Sequence, residues 1–159
     1  MDHFEGLICT LLEAEGYWVR RSFKVSVTKE EKRAIGKPSI PRPEIDILAL
    51  NFKKNEVLTL EVKSYLDSPG IALKDLMLEH EIPEGRFKLF TSKNYRSIVL
   101  TRLMQDLIAC GMANDKTTIK LGMAAGKVLQ NRTAPIRDFM ADSGLFFGRL
   151  LTSKQRLLH

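Results

Sequence analysis

The chain has 159 residues and carries 25 Lys and Arg against 19 Asp and Glu, a formal net charge of +6. At 44% hydrophobic and 28% charged it can fill one packed core and is too apolar for a disordered chain. No apolar run approaches the ~20 residues that span a bilayer, so no membrane segment is expected. Residues 1–16 are acidic and lack the basic start and small-residue cleavage site of a signal peptide. Cys9 and Cys110 sit inside apolar helical patterns and make neither a disulfide framework nor a zinc site, which fits a reducing, cytoplasmic setting. The charge is uneven: residues 1–115 carry 17 Lys and Arg and 17 Asp and Glu, whereas residues 116–159 carry 8 and 2. A neutral body with a basic end suggests a polyanionic partner or, more simply, a solvated basic surface.

The first segment predicts a helix. Asp2 and Glu5 have the spacing of a capping box, Phe4, Leu7, Ile8, Leu11 and Leu12 recur at helical period, and Gly16 can end it in a left-handed conformation. Residues 17–27 read as a strand, with Trp18 expected in the core. Residues 28–43 hold three prolines, five Lys or Arg and two Glu, and read as a long loop or flap. Residues 44–50 and 56–64 read as two buried strands joined in a hairpin by the polar link between them. A turn follows at 67–70 and a helix at 71–79. Residues 87–90 read as a short strand, and 92–111 as a long helix stopped by Gly111. Residues 118–128 read as a strand in which Gly122, Ala124, Ala125 and Gly126 leave little bulk. A short helix runs from Pro135 to Ala141, and the tail from Gly144 is apolar and basic. This order gives a mixed α/β class with an antiparallel start. Residues 1–130 form the expected core, and 131–159 a basic helical extension packed on the same domain.

The chemistry concentrates in the hairpin. Alternate residues of a strand share a face, so Asp46 lies with Leu48 and Leu50, and Glu61 and Lys63 lie with Val57 and Thr59. A turn centred between Lys53 and Lys54 pairs 50 with 57, 48 with 59 and 46 with 61. Asp46 and Glu61 are then opposed, with Cβ atoms ~4.5–5.5 Å apart. Two carboxylates so placed repel each other unless a cation lies between them, and a hard divalent ion takes such oxygen ligands. Lys63, on the same face, can orient a water or stabilise a phosphate. A register slip of one residue would separate the two acids. The competing structural reading is an ordinary ion pair of Glu61 with Lys63 or Lys24. Against it, both acids interrupt apolar strands, where charge is costly unless paired or metal-bound.

An acid at the end of one strand followed by Glu61-Val62-Lys63 on the next resembles the PD-(D/E)xK superfamily of restriction-endonuclease-like nucleases. Ile45 stands where that motif has its proline, with Pro43 upstream. The pattern E-x6-L-x3-G-aromatic from Glu5 to Tyr17, a basic strand, a proline-led acid and EVKS is similar to archaeal Holliday-junction resolvases. The likeness covers residues 5–65 well and extends loosely to 128. It implies a restriction-endonuclease-like core, a mixed central sheet of order α-β-β-β-α-β flanked by helices. It also implies Mg²⁺ (or Mn²⁺) held by Asp46, Glu61 and the Val62 carbonyl, Lys63 positioning the attacking water, and phosphodiester hydrolysis as the reaction. Glu5 would hold a water ligand of the ion, or would serve only as a capping partner.

Arg20, Arg21 and Lys24 follow the first helix, and Lys37 and Arg42 decorate the long loop with other basic residues. All five are candidates to contact nucleic acid or simply to be solvated. DNA is the expected substrate, and RNA is not excluded. Cutting both strands calls for two active sites, which a homodimer would supply. Phe146 and Phe147 pack on the core or form a dimer contact. The three histidines, His3, His80 and His159, have no metal-ligand spacing. The alternative to an endonuclease is a non-catalytic nucleic-acid-binding or assembly module on the same fold, a class that often loses the acids or the lysine kept here.

Overall fold

The computed structural model describes residues 3–151 and 156–158. Its elements, in chain order, are α1 (His3–Ala14), β1 (Trp18–Lys24), α2 (Lys29–Ile35), β2 (Glu44–Asn51), β3 (Glu56–Lys63), α3 (Leu73–Leu76), α4 (Lys88–Thr91), α5 (Lys93–Ala109), β4 (Thr118–Ala125), α6 (Thr133–Asp142), β5 (Phe146–Leu151) and β6 (Arg156–Leu158). A 3-10 turn over Leu129–Asn131 precedes α6. The strands form one mixed sheet in sequence order, β1 to β6. β2 and β3 pair antiparallel, β4 lies parallel to β3, and β5 lies parallel to β4. The class is α/β, with helices flanking a mixed sheet. No described helix is long and apolar enough to cross a membrane.

The chain divides into two compact units. The first contains the stretch up to Phe23, Ile45–Leu73 and the chain from Thr118 onward, and so most of the sheet with α1 and α6. The described residues beyond 131 group with the strands, and the chain after α6 returns as β5 beside β4 where a helical extension was expected. A strand forms here because Phe147 is fully buried and Phe146 packs on the core of α1. That core joins Phe4, Ile8, Cys9 and Leu12 of α1 to Ile47 and Ala49 of β2, Leu58 and Leu60 of β3, and Ala124 of β4. Burial raises the Cys9 thiol above its ordinary range, and Glu5 and Glu13 add to the effect against the opposing pull of Arg21. Gly16 closes α1 at φ 92, as expected, while Asp2 lies outside the described residues. Trp18 is not in the core: it is 69% exposed, edge-on to exposed Phe52 with ring centroids 6.4 Å apart.

The small residues of β4 have a steric reason. A Cβ on Gly122 would stand 2.5 Å from the Phe146 ring, and one on Gly126 would stand 2.5 Å from the Ser64 carbonyl oxygen.

The second unit comprises Lys24–Glu44 and Lys74–Thr117. The expected loop at 28–43 contains α2, which Thr28 and Glu31 start with a reciprocal capping box. Its segment is docked on α5: Arg102 donates to Glu31 at 2.9 Å, Ser26 N–H to Asp106 at 2.7 Å, and the Asn94 amide to the Ala34 carbonyl at 2.9 Å. Burial alone would raise the Glu31 carboxyl, but the Thr28 amide, the Arg102 guanidinium and the Thr28 hydroxyl outweigh it and hold its pKa below the usual value. Residues 88–91 form a helical turn, not a strand. Leu89 and Phe90 are both buried, which an alternating strand face would not allow, and Arg96 donates to both of their carbonyls. The helix expected at 71–79 is reduced to four residues, because Ile71 instead bridges Val128. α5 follows its sequence signals, with Ser92 capping its start and Gly111 left-handed after its end.

Candidate active site

The hairpin adopts the expected register. Leu50 pairs with Val57 and Leu48 with Thr59, and the ladder runs from Asn51↔Glu56 to Ile47↔Leu60. One step further along the same register, Asp46 stands opposite Glu61. The direction of the main-chain groups can be read from two hydrogen bonds. Gly126 N–H donates to the Lys63 carbonyl and Thr118 N–H to the Asn55 carbonyl, so odd-numbered residues of this strand turn their main chain toward β4. Val62 N–H points the other way, toward β2. Position 46–61 is therefore of the non-hydrogen-bonded kind, in which side chains approach most closely.

At Val62 the acceptor is not a β2 carbonyl. Its N–H donates to Asp46 Oδ2 at 2.7 Å, just where the ladder ends. The carboxylate thus occupies the place of the next ladder bond, and its orientation is fixed by the main chain it faces. The Val62 carbonyl opens on the same side as its N–H, toward β2. Glu61 and Lys63 are half-buried, and Glu61 Oε1 is shut off from solvent.

The sheet has two distinct faces here. α1 covers the face that carries Ile47, Leu60, Val62 and Ala124. Asp46, Glu61 and Lys63 lie on the other. Parallel register continues this second face across the sheet: Glu61 is aligned with Met123 and Phe147, and Lys63 with Ala125 and Arg149.

Glu5 lies on α1 and accepts a hydrogen bond from Arg21 Nε at 3.4 Å, both side chains being partly buried. Among the described residues no three His, Cys, Asp or Glu side chains converge to hold a metal, so Glu5 does not form a three-carboxylate group with Asp46 and Glu61. Of the basic candidates, Arg20 is exposed with its guanidinium 5.0 Å from the Phe23 ring centroid, and Arg21 is committed to Glu5. Lys24, Lys37 and Arg42 belong to the second unit; Lys24 and Arg42 are exposed and Lys37 is half-buried. Sequence reasoning did not single out Arg149 for this face, because its alignment with Lys63 depends on strands far apart in the chain.

Comparison with protein-family models, curated proteins and solved structures finds no match to this chain.

Proposed function

We propose that the chain is a metal-dependent endonuclease that hydrolyses DNA phosphodiester bonds, built on a restriction-endonuclease-like core. The observation that carries this reading is the β2–β3 register, which runs to Ile47↔Leu60 and, continued one step, sets Asp46 opposite Glu61 with Lys63 on the same face. The order α1, β1-β2-β3, helices, then β4 parallel to β3 supports the same superfamily.

The donor set fits a hard divalent cation such as Mg²⁺ or Mn²⁺. Asp46 and Glu61 supply carboxylate oxygens from facing strands, and the Val62 carbonyl opens toward the same gap. Bound there, the ion would supply Lewis-acid polarisation of a phosphoryl oxygen and a lowered pKa for water. The protein's own part is positioning. The Val62 N–H holds Asp46 in one orientation. Lys63, two residues beyond Glu61, donates to the attacking water or to a phosphate oxygen and offsets charge that grows in the transition state. Arg20, Lys24, Lys37 and Arg42 are proposed to meet the nucleic-acid backbone, and a second copy of the chain to supply a second site for double-strand cleavage.

The test is hydrolysis of supercoiled plasmid, linear duplex, single-stranded DNA, RNA and a four-way junction with Mg²⁺ or Mn²⁺, beside Lys63→Ala. Metal-dependent cleavage lost in the variant supports the endonuclease, and the preferred substrate names its kind. Metal binding without hydrolysis of any substrate would favour the non-catalytic module.

A further inference from the structure

Arg149 lies on β5, two strands from Lys63, and the two share one face because both are in register with Ala125. Their Cα atoms are therefore separated by two strand spacings, about 9.5 Å. The residue between them is alanine, so no long side chain from β4 rises between the two cations.

Arg149 is held in place. Its guanidinium donates to Asn131 Oδ1 at 2.8 Å and to Thr133 Oγ1 at 3.3 Å. Both acceptors are neutral. The loop that presents them is strained: Gln130 and Asn131 have φ of 53 and 58, a left-handed conformation unusual for consecutive non-glycine residues. Backbone strain of this kind persists where the surrounding structure demands it, and it gathers at functional sites.

Among the described residues the charge of this arginine has no counterpart. Arg149 forms no ion pair among the described residues, and its Nε is shut off from solvent with no hydrogen-bond partner among them. The same is true of Arg137 Nε, one helical turn beyond Thr133 on α6. An arginine that only braced a fold would be expected to turn its enclosed N–H toward a carboxylate or a carbonyl. The two Nε–H groups enclosed without one instead lack an acceptor. An oxyanion with several acceptor oxygens satisfies a planar N–H fork, and phosphate is such a group.

We propose that Arg149 binds a backbone phosphate of the nucleic-acid substrate, the neighbour of the phosphate that Lys63 serves, with Arg137 supporting the same anion. The proposal rests on the endonuclease reading for the identity of the phosphate, but the anion site itself is separable from it. Asn131 and Thr133 are positioning residues, acting through Arg149.

Two measurements on the full chain test it. In the first, the Nε–Hε resonance of Arg149, assigned by its loss in Arg149→Lys, is followed as inorganic phosphate is added without divalent metal, with chloride at equal ionic strength as the control. The resonance should shift saturably with phosphate and not with chloride. In the second, duplex binding is measured against salt for wild type, Arg149→Gln and Asn131→Ala, with near-ultraviolet circular dichroism to establish folding. Arg149→Gln can keep a donor to Asn131 or Thr133 while losing the charge. It should lower the slope of log K against log salt by about one, and raise KM severalfold with little change in kcat. Asn131→Ala should keep the slope and weaken binding less. An unmoved resonance together with an unchanged salt slope in folded Arg149→Gln would overturn the proposal while leaving the endonuclease standing. A phosphate-dependent shift in a protein that binds no nucleic acid would keep the anion site and remove the endonuclease reading.

Discussion

Asp46 Oδ2 accepts the Val62 main-chain N–H at 2.7 Å, doing the work of a strand carbonyl at the point where the β2–β3 ladder stops. The carboxylate is therefore both a structural acceptor and a charge opposed to Glu61. The two roles respond differently to substitution.

Glu61→Gln removes one of two repelling charges without touching the Val62 bond. Its melting temperature in chelator should exceed that of wild type. Asp46→Ala relieves the same repulsion but leaves the Val62 N–H without its acceptor, at a cost of about 1–3 kcal/mol, so its melting temperature should be lower than that of Glu61→Gln. Thermal melts in chelator measure both. Equal stability of wild type and Glu61→Gln would count against the opposed pair.

Glu5 separates from the other two acids in the same way. It is bound to Arg21 and is not grouped with Asp46 and Glu61. Glu5→Gln should retain cleavage to within about tenfold, whereas Asp46→Asn should lose on the order of a hundredfold or more. A double-mutant cycle of Glu5 and Arg21 should give a coupling of roughly 0.5 kcal/mol. Loss of cleavage in Glu5→Gln as deep as that in Asp46→Asn would return Glu5 to the catalytic group.

Gly126 follows β4 and is held against the end of β3. Its N–H bonds the Lys63 carbonyl at 2.9 Å, and an added Cβ would meet the Ser64 carbonyl oxygen at 2.5 Å. Because the obstacle is backbone, Gly126→Ala must move β3 and β4 apart near Lys63. A destabilisation of about 1–3 kcal/mol and a fall in cleavage together are expected. Denaturant unfolding and a rate assay check both, and an unchanged stability would contradict the contact.

The second unit carries its own pH dependence. The folded Glu31 carboxyl titrates below its ordinary value. Its contribution is therefore complete above the unfolded pKa of about 4.3 and is lost as pH falls through the lower, folded value. Wild type should be more stable than Glu31→Gln at neutral pH, and the difference should shrink on acidification below about pH 4. A difference that stays constant across this range would remove the ionised carboxylate from the account.

Much of the hairpin was legible because its information is local. Apolar residues interrupted by Asp46 and Glu61, a short polar link and two-residue periodicity determine which face each side chain takes, and the register followed from them. What the sequence concealed was long-range. Residues 87–90 read as a strand because short apolar runs carry no period of their own, and Arg96 from the next helix donates to the Leu89 and Phe90 carbonyls of the turn they form. The capping box at Thr28 and Glu31 is written in the sequence, but the prolines and lysines around it give the segment the composition of a loop. β5 read as an apolar tail, since its partner β4 lies across a helix. The alignment of Arg149 with Lys63 was invisible for the same reason: parallel register is set by a crossover, not by a turn.

The most direct test of the account is calorimetric titration of Mn²⁺ into wild type, Asp46→Asn and Glu61→Gln. One site is expected in the wild type, weakened at least about tenfold in each variant, since either loss removes a charged oxygen ligand from a two-carboxylate site. Binding of equal strength in all three proteins would contradict it.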